Sequence, residues 1–414
     1  MVSKSTFMLI FFTVFCFTAC TISTNNNRQV FAAQSGVVTF YRAGNYKDNE
    51  GNYIACYWVN NKRIDLTNST LSKDAMAVRI FVEDGIIYIK GIYKDKVGNQ
   101  IHCYWINGER MDSPVQSPPS VYTDIKAIFL QDGKIYTLGY YLDSYGNRIP
   151  CYWINEERKD LDSTGIPDRF VADRIRVQDG KVYVTGHYFR KYFDIIEKFY
   201  WVDGKRTDLG LGSINSIFEK DGVIYTAGSY KVNEDEEGPG NACYWINGER
   251  KTLPIPLLTR FSSVKSIYIH DEKIYMLGYY YIRKGGYNNG KDCYWVNGER
   301  TDLTPNSDSD IYSIFVDKNK IYTVGRYKGA GLFPKRRACY WVNGKRKKLS
   351  DPGNIFESSR ALDIKVLNGN IYILGWYKYN ENGSGYCYWV NGQRTDFVSE
   401  KNEYISDATF TIQE

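Results

Sequence analysis

From residue 37 onward the chain alternates short apolar, β-branched and aromatic runs with breaks carrying Gly, Asn or Asp, and an apolar period of 3.6 is absent. The stretch 310–349 shows the unit most plainly. Ile311–Asp317 is apolar, Lys320–Tyr327 alternates, Ala338–Val342 is a third run and Lys345–Leu349 a fourth. Asp-Gly or its equivalent separates the first two runs and Asn-Gly the last two, so the pattern predicts four antiparallel strands joined by tight hairpins. The first strand is apolar on both sides, as in Ile314-Phe315-Val316 and Ile128-Phe129-Leu130. A sheet covered on both faces has that composition.

The unit repeats. Tyr-x-x-Gly-x-Tyr occurs eight times, around Gly44, Gly91, Gly139, Gly186, Gly228, Gly278, Gly325 and Gly375, each time followed by a Tyr-Trp pair. The paired tryptophans Trp58, Trp105, Trp153, Trp201, Trp245, Trp295, Trp341 and Trp389 are spaced by 44 to 50 residues. Four strands at this period predict an all-β, eight-bladed β-propeller of four-stranded antiparallel blades. The first unit begins at its second strand, Thr39–Tyr46, while 406–412 reads as a first strand with no unit of its own. Joined, the two would complete the first blade and close the ring without a free edge. Residues 37–414 divide by eight into about 47 each, the observed period. Seven blades, with one unit outside the ring, is the alternative.

Two columns of residues accompany the repeat. Cys56, Cys103, Cys151, Cys243, Cys293, Cys339 and Cys387 stand directly before Tyr-Trp. One blade apart they are too distant for disulfides, and they lack C-x-x-C spacing or nearby His, so they read as small buried hydrophobes. An Arg follows each of these eight Trp by five residues, as in Trp58 with Arg63 and Trp295 with Arg300. A two-residue turn places Trp and Arg opposite each other, which predicts a structural stack of guanidinium on indole rather than an eightfold polyanion site.

Composition narrows the partners. With 53 Lys and Arg against 47 Asp and Glu the net charge is +6 over 414 residues, too little for a strongly basic nucleic-acid binder. Aromatic content of 16% excludes a disordered chain. At the N-terminus, Lys4 precedes the apolar run Phe7–Ala19, which is too short to span a bilayer comfortably and reads as an export signal. It ends in Phe17-Thr18-Ala19-Cys20, similar to a relaxed bacterial lipobox, so Cys20 is the expected site of lipidation. The expected organisation is a signal peptide at 1–19, the acylated Cys and a polar tether at 20–36, and the propeller at 37–414. The expected address is the bacterial cell envelope, periplasmic or surface-exposed, with the membrane contacted through the lipid anchor.

Catalytic motifs, metal-ligand spacings and cofactor fingerprints are absent, and His102, His187 and His270 fall at unrelated positions. Asp-x-x-Gly-Asn at 48–52, 95–99 and 143–147 reads as a hairpin turn. Departures from the repeat say more. In the first-strand column of Phe81, Phe129, Phe218, Tyr268, Phe315 and Phe410, the fourth unit has Arg176 and the eighth Lys365, with Arg174 and Asp363 two residues earlier. In a closed ring these units face each other across the axis. The four charges are thus either a polar ligand site or a locally compensated, wet channel wall. The connections between second and third strands also vary. The fifth carries Glu234–Glu237 and the seventh Lys335, Arg336 and Arg337, within a stretch from Lys318 to Ser350 that holds eleven Lys or Arg and no acid. This sector is either a solvated rim or a surface for an anionic partner such as polysaccharide, lipid headgroup or acidic protein.

Over residues 37–414 the chain resembles bacterial, spirochaete-like lipoproteins built of Tyr-Trp-x-Asn-Gly propeller repeats, a resemblance specific for architecture rather than activity. The propeller lipoprotein of the outer-membrane β-barrel assembly machinery is similar in plan, an acylated Cys and eight blades, but its repeat residues are not found here. The expected function is a lipid-anchored binding or scaffold module for an envelope protein or an anionic glycan, without catalysis. The rival expectation is a carbohydrate-active enzyme with carboxylates gathered at the channel mouth.

Overall fold

Each Tyr-x-x-Gly-x-Tyr segment is the second strand of its repeat, and its glycine is a matter of space rather than of unusual backbone angles. Gly91 lies opposite Cys103, and a Cβ on it would sit 2.2 Å from the Met76 carbonyl oxygen and 2.5 Å from the Trp105 ring. Gly375 is enclosed the same way by Arg360 and Trp389. The motif Gly, opposite Cys in every repeat but the fourth, where it faces Phe199, therefore lets the repeat's own Trp cross the sheet, with Trp105, Trp201, Trp295, Trp341 and Trp389 each at most 1% exposed. At the hairpins, Asn107-Gly108 and Asn297-Gly298 take the paired positive φ values (49° and 87°, 49° and 88°) of a type I′ turn.

The computed structural model describes residues 37–414 except 67–72, 84, 96, 113–122, 132–133, 156, 167–169, 191–194, 233–239, 285–286, 304–308, 329–334, 351–355, 380–382, 399–401 and 413–414. The expected signal peptide, Cys20 and the tether, like the acidic run Glu234–Glu237, lie outside the described residues. Among those described the protein is all-β, with thirty-one strands and no helix. Each repeat forms an antiparallel set of four strands. Repeat two, for example, pairs Lys73–Glu83, Ile86–Lys94, Gln100–Ile106 and Glu109–Asp112 in that order. In repeat one the first strand comes from the other end of the chain, for Glu403–Ile412 pairs with Val38–Lys47. The sets of repeats four and five share one strand, Lys205–Lys220, which leaves one sheet and enters the next through Gly210 and Gly212, both at positive φ (79° and 139°).

The chain divides into two units, one made of Met1–Ser113 with Ser309–Glu414 and the other of Pro114–Asp308. In the first unit the sheets of repeats seven, eight, one and two pack in that order. Phe315, Tyr322 and Val324 of repeat seven share a core with Ile373, Cys387 and Trp389 of repeat eight. Leu374 then meets Phe40 and Phe410 of repeat one, and Tyr41 and Tyr57 meet Ala77, Ile80 and Trp105 of repeat two. The second unit is built likewise, with Tyr200 and Leu209 of repeat four against Cys243 and Trp245 of repeat five. All seven described cysteines are buried free thiols, as expected.

Two expectations need correction. The register places Thr409, not Phe410, in the first-strand aromatic column, because Thr409 lies opposite Tyr41 as Phe81 does opposite Tyr88. Phe410 faces the other way, fully buried against Phe40 and Phe397. The bulge at Ser406 falls where the other first strands bulge, so Thr409 holds the column position without any offset and Phe410 corresponds to Val316. Trp and Arg do pair across the hairpin, Trp58 with Arg63 and Trp295 with Arg300, but the guanidinium does not stack on the indole. It lies over the second Tyr of the motif: Arg63 over Tyr46 at 4.1 Å, Arg158 over Tyr141 at 3.8 Å, Arg346 over Tyr327 at 3.9 Å. The buried Trp is already enclosed between sheets, and an Asp two residues after the Arg clamps it from the side, as in Arg158–Asp160 (3.0 Å) and Arg300–Asp302 (2.9 Å).

Candidate ligand-binding site

The first strand is the outermost of its set, so half of its backbone groups have no partner within the sheet. In the second unit, Arg174 and Arg176 meet that need for the neighbouring repeat. Arg174 Nη1 donates to the Asn215 carbonyl (2.7 Å), Arg176 Nη1 to Ile217 (3.2 Å) and Gln178 Nε2 to Glu219 (2.8 Å). Alternate residues of one strand thus reach alternate carbonyls of the next repeat's first strand, in step. Arg176 also lies 4.7 Å over Phe218, and burial pulls its guanidinium down to about 10, with Glu219 opposing. In the first unit, Lys365 Nζ donates to the Phe410 carbonyl (2.6 Å), and Asp363 accepts from Ser313 Oγ (3.0 Å). Burial raises the Asp363 carboxyl, against the pull of Lys365. The four charges therefore fall in two units as two sets, each engaged with the adjoining repeat.

The basic triplet is not a loop. Arg336 and Arg337 belong to the strand Arg336–Val342, opposite Lys328 and Tyr327, and only Lys335 precedes it. The hairpin extends because the flanking residues pair. Arg336 forms an ion pair with Asp310, which Arg326 also contacts at 2.7 Å, so the sector's missing acid comes from the preceding strand. The edge strand Lys345–Lys348 is exposed throughout.

Comparing the repeats in register locates where the chain differs from itself. The row of the motif Gly pairs with Cys, or Phe199 in repeat four, and the row of the second Tyr meets the Arg. Between them runs the row of the residue following the Gly, facing the opposite side of the sheet. It reads Tyr404–Asn45–Ala55 in repeat one, Ser213–Ser229–Ala242 in five, Ser263–Tyr279–Asp292 in six, Asp310–Arg326–Ala338 in seven and Arg360–Trp376–Tyr386 in eight. Beside it each first strand is bulged, at Asp173, Asn215, Lys265, Tyr312 and Leu362 among others. Bulges redirect side chains, and here they bring a further variable residue to the row.

The two units furnish this row differently. In the second, Asp173 Oδ2 contacts His187 Nδ1 at 2.8 Å and Lys198 Nζ at 3.9 Å, and burial lowers the Lys198 amine. Lys265 pairs with Asp292 at 2.9 Å. In the first, Arg360 lies 4.5 Å over Trp376, hydrogen-bonds the Tyr312 hydroxyl, and has no carboxylate within ion-pair distance among the described residues. Tyr386 donates to the Ser406 carbonyl (3.4 Å), and Asp407 accepts from the Ile80 N–H (3.1 Å) with its carboxyl raised by burial. Arg360 and Trp376 escape a motif scan but not a residue count. The chain has nine Trp, eight in Tyr-Trp pairs, and Trp376 is the ninth. Arg42 is a second such case, a buried Arg where other repeats carry Ile89, Thr137 or Val184. It donates to the Asn60 carbonyl (3.1 Å) and stacks on Phe397 and Trp58, which marks it as structural.

No protein-family model matches the chain, and no curated protein does. Among solved structures it is similar to Pyrococcus horikoshii acylaminoacyl peptidase, at 12% identity and a TM-score of 0.42, over 77% of this chain and 52% of that one. It thus spans about half the length of that peptidase. It is also similar to oligogalacturonate lyase in complex with manganese (10% identity, TM-score 0.42, 89% of this chain and 99% of that one). A third is the Aleuria aurantia lectin, a fungal lectin of six-bladed β-propeller fold (11% identity, TM-score 0.28, 80% of this chain and 93% of that one).

Proposed function

We propose that the chain is an eight-bladed propeller, closed by the pairing of Glu403–Ile412 with Val38–Lys47, tethered to the bacterial envelope through a lipid on Cys20, and acting as a non-catalytic binding module. One observation carries the binding assignment: polar variety is concentrated in a single row of the repeat, while the Gly–Cys and Tyr–Arg rows on either side hold nearly constant. Packing alone asks the same of every repeat, so a row that differs from repeat to repeat serves something other than packing. The acids described there, Asp173, Asp292 and Asp310, each hold a cation or a His. Carboxylates committed in this way suit recognition better than the paired acid and base of glycoside hydrolysis.

Pull-down with the full-length chain from detergent-solubilised envelopes, together with a glycan array, tests the binding role. Specific capture without turnover of the captured species is the expected result, and turnover would overturn it. For the anchor, Cys20→Ser is expected to abolish fatty-acid labelling and release the protein from membranes, and labelling that persists in this variant refutes the lipid site.

A further inference from the structure

We propose that the junction of repeats seven, eight and one in the first unit binds an acidic saccharide, with Trp376 as the platform for a sugar ring and Arg360, flanked by Arg326 and Arg336, as the group that takes its carboxylate. The inference rests on the reading of the chain as a binding module and adds the ligand's chemistry.

Position comes first. Trp376 lies opposite both Arg360 and Tyr386, so one row of the sheet presents a guanidinium, an indole and a phenol side by side. The adjoining repeat brings Tyr312 from its bulge and Arg326 from its own row. Arg336 is drawn to the same end of the strands, since it pairs in parallel with Ser358, two residues before Arg360. All of these side chains are partly exposed, unlike the tryptophans of the Tyr-Trp pairs.

Charge comes second. Arg326 and Arg336 both contact the carboxylate of Asp310, which gathers two guanidinium groups beside Tyr312. Arg360 has no acidic partner among the described residues, is partly exposed, and donates to the Tyr312 hydroxyl. A partly exposed planar guanidinium without an ion-pair partner fits a carboxylate. On the far side Asp407 is occupied by the Ile80 N–H and does not neutralise Arg360 by an ion pair. Arg176 differs in that its guanidinium is spent on a backbone carbonyl of the neighbouring strand, whereas Arg360 reaches a side-chain hydroxyl, that of Tyr312.

Ligand class follows from combining the two. A bare anion would engage the arginines and leave Trp376 idle. A neutral sugar would use the indole, whose electron-rich face attracts polarised C–H groups, and leave the cations unmatched. A sugar ring bearing a carboxylate uses both and offers hydroxyls to Tyr312 and Tyr386.

The test uses the full-length chain in detergent with polygalacturonate and alginate, two hexuronate polymers of different stereochemistry. The methyl ester of the former, neutral dextran, dextran sulfate and single-stranded RNA serve as comparisons. The parent is expected to bind at least one uronate polymer and to lose that binding on esterification. Trp376→Ala and Arg360→Gln should each weaken it at least about tenfold, while Lys345→Glu with Lys347→Glu, on the exposed edge strand, changes it little. Should Trp376→Ala lower the melting temperature, Trp376→Phe decides, because it keeps a ring and should keep most of the binding. Equal binding of the ester or dextran, unchanged binding by both variants, or preference for dextran sulfate or RNA would overturn the proposal. A parent that captures an envelope protein but no uronate overturns the saccharide and spares the binding module, whereas one that captures nothing overturns both.

Discussion

The junction of repeats four and five and the junction of repeats seven, eight and one both carry arginines on the first strand, and they use them in opposite ways. In the former, Arg174, Arg176 and Gln178 follow the alternation of one strand and meet the alternating carbonyls of the next, so the polar side chains complete the backbone hydrogen bonding of an edge. In the latter, Arg360 sits on an indole and donates to a tyrosine hydroxyl, and two further arginines contact Asp310. Charge on a first strand therefore has no fixed meaning. Whether it is spent on the backbone carbonyls of the neighbouring strand decides between cement and site.

The largest effect expected concerns alkali. Burial raises the thiols of Cys56, Cys151, Cys243, Cys293 and Cys339 above the ordinary value of 9.0. The folded chain therefore holds protons that the unfolded chain gives up, and stability is full below pH 9 and falls as pH rises beyond it. By pH 10 each such thiol costs up to about 1.4 kcal/mol, and the sum should appear as a steep drop in melting temperature. Cys339→Ala, beside the seven–eight junction, should flatten that drop. Phe199→Cys in repeat four should steepen it, whatever its cost at neutral pH.

Next in size, Phe410→Ala opens a cavity between repeats eight and one and should cost about 3–5 kcal/mol in urea unfolding. A loss below 1 kcal/mol would contradict the register that turns this ring into the core. Arg176→Ala orphans the Ile217 carbonyl and should cost about 1–3 kcal/mol, whereas Arg360→Ala should cost less than about 1 kcal/mol. Equal losses would erase the distinction between the two junctions. The smallest effect is that of Asp363→Asn. With its carboxyl raised by burial, the folded chain binds a proton more readily than the unfolded one, so ionisation lowers stability as pH rises through the acid range. The amide should then gain up to about 1 kcal/mol at pH 7, and it should remove part of that pH dependence in thermal melts between pH 4 and 7.

What the sequence determined by itself was everything the period carries: strand number per repeat, hairpin turns, buried unpaired cysteines, the Trp–Arg register and the strand shared between the chain ends. These follow from local alternation, turn chemistry and simple counting, which do not depend on neighbouring sheets. Only the tertiary structure decided which aromatic ring the Arg column touches, that Phe410 faces away from its supposed column, that Asp310 supplies the acid for Arg336, and that Arg360 stands over Trp376. The first depends on how far a side chain reaches across its own sheet, the second on the register between the two ends of the chain, and the last two on partners that a single repeat supplies, such as Asp310 for Arg336 and Trp376 directly opposite Arg360. Such contacts leave no period behind, because they are the places where one repeat differs from another.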